Sequence, residues 1–287
     1  MKKRYDSRLE NDPTPSRLVV EKYRQVIGQD DHDASLALVS YRGGREEFEL
    51  GLEYCKSSDP LDRATGAEVL AQLGWGDRTF LEESVAVLIP MLKDTSAFVV
   101  DCAAVALGHR SDPRAIQPLV AISAHEDPGV RLGVVFGLLG HEDPEAIGAL
   151  IRLSSDSDAD VRNWALFGLG SQIETDTPEI RDALFAGLNG PGDEARGEAL
   201  VGLANRADPR VVDAILKEWE GPTISTLSLE AAGKTGDPRL LPQLEGFLET
   251  MNLEDDSSFR RQLEDSIAAC KAQAEPDALT DVDGPLR

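Results

Sequence analysis

The sequence predicts an all-α protein, an α-solenoid of about six to seven antiparallel helical hairpins. Three observations predict it. One segment keeps returning. Residues 57–74, 93–108, 125–140, 156–170, 190–204 and 220–234 each run from an acidic or Gly/Pro turn to small residues at helical spacing and a Leu-Gly-like end. The closing positions lie 34, 32, 30, 34 and 30 residues apart, and a period in the low thirties marks stacked repeats. Proline stands where helices should start. Strand-like alternation is scarce, so Ala, Leu, Val and Gly supply the packing and aromatics make up only 5% of the chain.

Residues 1–33 read as an N-terminal arm that includes a short helix near 17–28. The solenoid spans 34–274, opening with a short helix at 34–41 that Gly43-Gly44 ends. First helices of the hairpins are expected at 45–55, 81–93, 113–123, 144–154, 178–188, 209–219 and 238–249. Second helices are expected at 60–73, 97–107, 128–139, 159–169, 192–205, 223–234 and 259–274. Residues 251–258 form a charged break, and 275–287 read as a disordered acidic tail.

Five first helices open on Asp-Pro or Thr-Pro, at Pro113, Pro144, Pro178, Pro209 and Pro238. Proline at the first helical position gives up an N–H that has no partner there, and the residue before it caps the open amides. Asp59-Pro60 and Asp127-Pro128 do the same for two second helices. Gly74, Gly108, Gly140 and Gly170 suit helix exits with positive φ. Val161, Ala165 and Leu169 fall on one buried face, matched by Val130, Val134 and Leu138, and by Val99, Ala103 and Leu107.

The formal net charge is −23, from 52 acidic and 29 basic residues. It argues against a nucleic-acid backbone or an anionic membrane as partner and favours a basic protein. Solubility or adaptation to salt also accounts for it, and the sequence leaves the two open. Cys55, Cys102 and Cys270 are scattered, without ligand spacing, which fits a reducing compartment. Met1-Lys2-Lys3-Arg4 leads into no apolar leader region, and no apolar run approaches about 18 residues. A cytoplasmic protein is expected.

The segment Asp156-Ser157-Asp158-Ala159-Asp160-Val161-Arg162, followed by Ala165, Leu169 and Gly170, resembles the HEAT-like repeat named after phycobiliprotein lyases. Val130-Arg131 and Ala195-Arg196 carry the same dyad. The second unit departs with Val99-Val100, and the sixth departs further at 223–226. The resemblance covers roughly 45–249 and implies architecture more than activity, because such repeats serve scaffolds and enzymes alike. It implies that Arg131, Arg162 and Arg196 bond acidic groups and carbonyls of a neighbouring unit.

Deoxyhypusine hydroxylases carry His-Glu dyads inside helices, just after the Val-Arg position. Leu132-Gly133, Asn163-Trp164 and Gly197-Glu198 stand there in this chain. His125-Glu126 and His141-Glu142 fall in turns instead and read as solvated. No metal, cofactor or catalytic set is expected, and no nucleophile or phosphate-cradling motif occurs.

In helical solenoids the second helices line the concave side. Positions turned away from the core there are Asp101, Leu132, Phe136, Asn163, Trp164, Phe167, Glu198 and Val201. Phe136, Trp164, Phe167 and Val201 would form an apolar stripe flanked by Glu68, Asp101 and Glu198, and exposed aromatics are frequent binding hot spots. The expected function is non-enzymatic binding of a basic protein through this face, in concrete form as an inhibitor or immunity protein. The alternatives are a lyase- or hydroxylase-type enzyme or small-molecule binder, and a general scaffold. The sequence does not give the oligomeric state.

Overall fold

The computed structural model describes residues 12–28, 35–74, 78–190, 193–221, 224–250 and 258–274. The expectations for the first eleven residues, for the break at 251–257 and for the tail from 275 lie outside them. The described residues contain helices and no strand. The chain forms two compact units, residues 1–149 and 150–287.

Unit 1 opens with α1 (Ser16–Val26) and α2 (Ser35–Arg42). Three hairpins follow, α3 (Arg45–Cys55) with α4 (Pro60–Gln72), α5 (Leu81–Met91) with α6 (Ala97–Arg110), and α7 (Ile116–Ala121) with α8 (Pro128–Leu138). The helix α9 (Pro144–Leu153) carries the chain across the division. Unit 2 continues with α10 (Ala159–Phe167), α11 (Pro178–Gly187), α12 (Asp193–Asn205), α13 (Arg210–Glu218), α14 (Thr226–Thr235), α15 (Leu241–Thr250) and α16 (Ser258–Ala274). The expected elements are all present. The first helices read at 113–123 and 238–249 begin as 3-10 turns, Pro113–Ala115 and Pro238–Leu240. The helix read at 223–234 starts at Thr226, because the Ser225 hydroxyl accepts the Ser228 amide and caps it there.

The proline starts work as their chemistry requires. Asp59, Asp112, Asp127, Asp143, Asp208 and Asp237 each accept a backbone N–H two residues on, at 2.8–3.0 Å. Such caps contribute about 1 kcal/mol each. The α1 helix is fastened to the first hairpin. Arg17 pairs with Glu53, Arg24 with Asp59 and Asp62, and Ser16 donates to Glu47.

Within each unit the second helices stack directly on one another, α4 on α6 on α8 and α10 on α12 on α14 on α16. The core positions read from the sequence, Val99, Ala103 and Leu107, Val130, Val134 and Leu138, and Val161, Ala165 and Leu169, are fully buried. Glycines set the closeness. A Cβ on Gly202 would lie 2.7 Å from Gly170 Cα, and one on Gly137 would lie 3.0 Å from the Ala104 carbonyl. This corrects one expectation. Gly74 and Gly140 leave their helices with φ of 59° and 72°, but Gly108 lies inside α6 and Gly170 in a π turn, Gly168–Gln172. Both are bare because a neighbouring second helix passes against them.

Two sets of arginines tie the hairpins. In the first, Arg63, Arg131 and Arg162 each donate to the carbonyls six and five residues back, closing the turn of their own hairpin. These carbonyls belong to the arginine's own hairpin, while Arg196 pairs with Glu218 of the next one at 3.5 Å. Arg63 does reach the next hairpin, as a fork on Asp94 at 2.7 and 2.8 Å. The second set was not foreseen. Buried Arg110 donates to the Leu73 and Thr79 carbonyls, and buried Arg206 to those of Leu169, Gly170 and Ile173. Each covers open carbonyls at the end of the preceding second helix, where the helix dipole also favours a cation.

Candidate functional site on the second helices

In unit 1 the exposed side of α4, α6 and α8 carries Glu68, Asp101, Leu132 and Phe136, all partly exposed. Gly133 lets the Asp101 carboxylate lie flat against α8, since a Cβ there would sit 2.5 Å from Asp101 Oδ1. Burial, and then the Asp101 charge, pushes the Glu68 carboxyl up to about 7. Burial, and then Asp127, pushes Asp101 up to about 6. The Cys102 thiol donates to Glu68. Near neutral pH this pair is poised between charged and neutral forms.

In unit 2 the corresponding side of α10 and α12 carries Asn163, Trp164, Phe167 and Glu198. Trp164 is 39% exposed. Its ring meets Phe167 edge to face, with centroids 5.4 Å apart. Asn163 Nδ2 donates to Glu194 Oε2 at 3.2 Å, linking α10 to α12 beside the rings. The Glu198 carboxyl is raised by burial and then by the Glu230 and Glu194 charges. The aromatic pair thus sits on α10, and the crowded Glu198 on α12, which Glu194 ties to α10 through Asn163.

Val201 does not belong to the stripe. It is 3% exposed. On the same helix α12, Gly197 lies under Leu227 and Gly202 against Gly170, so α14 and the π turn ride close to it. The turn histidines also divide. His125 Nδ1 accepts the Asp127 amide in its turn. His141 was expected in solvent but is buried, its Nε2 without a hydrogen-bond partner. Burial lowers its pKa. It stands two residues before Asp143, as Arg110 stands before Asp112 and Arg206 before Asp208.

The recurrent Asp-Pro-Arg triplets at 112–114, 208–210 and 237–239 were a signal the capping argument used only in part. Each Asp holds its Arg side chain through both oxygens. The Arg then reaches an acid on the preceding first helix, Glu82, Asp182 or Asp213, at 2.6, 2.9 and 3.2 Å. Among the described residues no three His, Cys, Asp or Glu side chains converge to hold a metal ion. None of their helices is long and apolar enough to cross a membrane.

Residues 50–131 match the family model for HEAT repeats. Protein YibA of Escherichia coli strain K12 is 30% identical over 232 residues, which cover 76% of this chain and 82% of YibA. The chain belongs to the HEAT-repeat family. The X-ray structure of Escherichia coli YibA aligns with a TM-score of 0.66 and 25% identity, covering 93% of this chain and 99% of that one. A chain in a Kap95p–RanGDP structure aligns at 0.60 and 14% identity, covering 96% of this HEAT-repeat chain and 42% of the other. That second likeness is one of fold. The repeat arrangement read from the sequence is thus an α-solenoid of HEAT type.

Proposed function

We propose that this HEAT-repeat protein is a non-catalytic binding module for a basic protein, cytoplasmic, with Trp164 and Phe167 of unit 2 as anchors. One observation carries the reading. A tryptophan 39% exposed is braced by a second ring on α10, and α12 carries Glu194, bonded to Asn163, and Glu198, raised by burial and by the Glu230 and Glu194 charges. Exposed braced aromatics supply contact area at small entropic cost. Crowded, partly desolvated carboxylates gain when a lysine or arginine of a partner enters among them. In unit 1, Leu132 and Phe136 with Asp101 and Glu68 offer a second patch of the same character. The net charge of −23 steers a cationic partner toward both. The concrete form of this role is an inhibitor or immunity protein that covers a cationic effector.

Affinity capture from the native source with the wild type and with Trp164→Ala/Phe167→Ala tests the reading. A basic protein held by the wild type at low salt, released as salt rises and lost by the double variant, is the expected result. Equal retention by the variant, or an acidic partner indifferent to salt, refutes it. Both proteins should melt alike, because the rings lie outside the core.

A further inference from the structure

Arg110, His141 and Arg206 each stand two residues before an Asp-Pro helix start, and all three are buried. The two arginines cover carbonyls at the end of the preceding second helix. His141 does not. Its Nε2 is buried with no hydrogen-bond partner among the described residues. The reason lies in the helix before it. Ser111, at φ 48°, sends its amide to the Leu107 and Gly108 carbonyls at 2.9 and 3.0 Å. The end of α6 therefore closes on itself, and those carbonyls are covered without a clasp. His141 holds a clasp position and lacks a clasp's bonds.

The charged groups that face the imidazole come from three places. Arg78 lies in the loop before α5, Asp112 at the start of the 3-10 turn before α7, and Asp143 in its own turn. Both Asp112 oxygens hold Arg114. Asp143 is exposed and accepts the Glu145 amide at 2.8 Å. Arg78 repels a second cation. A neutral imidazole fits this seat. An imidazolium must donate from both nitrogens, and Nε2 has no acceptor there.

The backbone around His141 has room to move. Gly140 leaves α8 at φ 72°, and a Cβ built on it would meet nothing within 4 Å among the described residues. The His141 amide keeps one bond, to the Leu138 carbonyl at 3.2 Å.

We propose that His141 is an acid-sensitive latch: on protonation the imidazole leaves its buried seat and frees the turn of residues 139–143 between α8 and α9. Burial lowers its pKa from 6.5, so the latch is shut above 6.5 and loosens as pH falls below it. The opening is local, because the bonds that hold the other hairpins do not pass through this side chain.

Amide hydrogen exchange of the full chain at about pH 7.5 and about pH 5, corrected for the intrinsic rate, tests this. Amides of residues 138–145 are expected to lose protection by about tenfold for each pH unit below the imidazole midpoint, while those of α14 in unit 2 hold theirs. His141→Gln, neutral at both pH values, should remove that loss, and His141→Asn gives the same comparison if the glutamine variant fails to fold. Nitrogen-15 NMR of the histidine rings supplies the midpoint, which should fall below 6.5 and coincide with the onset of exchange. An imidazole charged at pH 5 with protection unchanged would overturn the proposal. So would an imidazole still neutral at that pH, or an equal loss of protection in the variants.

Discussion

Adding one methyl group at Gly202 should destabilise unit 2, although the same change at Gly246 should stabilise it. Both glycines lie inside helices, α12 and α15, so replacement by alanine brings the same helix-propensity gain of about 1 kcal/mol. The surroundings differ. A Cβ at Gly246 meets nothing within 4 Å. A Cβ at Gly202 meets Gly170 Cα at 2.7 Å and the two Leu184 methyls at 2.8 and 3.0 Å. Ordinary contact begins at 3.4 Å, so α12 and the π turn must part by about 0.7 Å. Leucine ends can swing aside, but the Gly170 backbone cannot. A gap of that size forfeits a quarter to a half of each dispersion contact along the seam. Overpacking of this kind costs about 1–3 kcal/mol. Gly202→Ala should therefore lose a net of up to ~2 kcal/mol while Gly246→Ala gains up to ~1. Urea unfolding followed by tryptophan fluorescence reads the difference, since Trp164 and Trp219 both belong to unit 2. Gly202→Ala unfolding at or above the wild-type midpoint would show that these helices do not touch as described.

Three other expectations follow from polar groups that are buried or partly so. The Glu68 carboxyl is raised from 4.5 to about 7, so its contribution is intact below about 4.5 and lost as pH rises through 7. Glu68→Gln should melt above the wild type at pH 8, with the gap closing at pH 4. His141 has the opposite sign. Its pKa is lowered from 6.5, so stability is present above 6.5 and lost as pH falls below it, and His141→Gln should flatten that fall in thermal melts. Arg63→Lys removes the fork on Asp94 and the bonds to the Ser57 and Ser58 carbonyls. It should cost about 2 kcal/mol in urea unfolding, whereas Lys93→Arg, on the exposed surface, should cost nothing measurable.

What the sequence disclosed was what neighbours along the chain decide. Asp-Pro starts are complete within three residues, and each proved to be a cap. The faces of Val161 and its equivalents are set by helical spacing alone, and they are buried as read. Contacts between hairpins were less legible. Gly108 and Gly170 look like exit glycines because a Leu precedes each, but the strand of backbone pressing on them comes from about thirty residues further on. Val201 shares the spacing of Phe136 and Phe167, yet it is buried, on a helix whose Gly197 and Gly202 let neighbouring elements approach closely. Arg110 and Arg206 carry no local mark of burial. Their position two residues before Asp-Pro was visible, but the carbonyls they serve belong to the preceding helix end.

The arginine clasps bear on how such a chain lengthens. Arg63, Arg131 and Arg162 find their carbonyls inside the hairpin that carries them, so a copied hairpin arrives with its turn already closed. The Asp-Pro-Arg arginines need an acid one hairpin upstream, at Glu82, Asp182 or Asp213. Duplication by whole hairpins keeps both attachments, while a copy inserted behind a first helix without such an acid would be sound in itself and loosely joined to what precedes it.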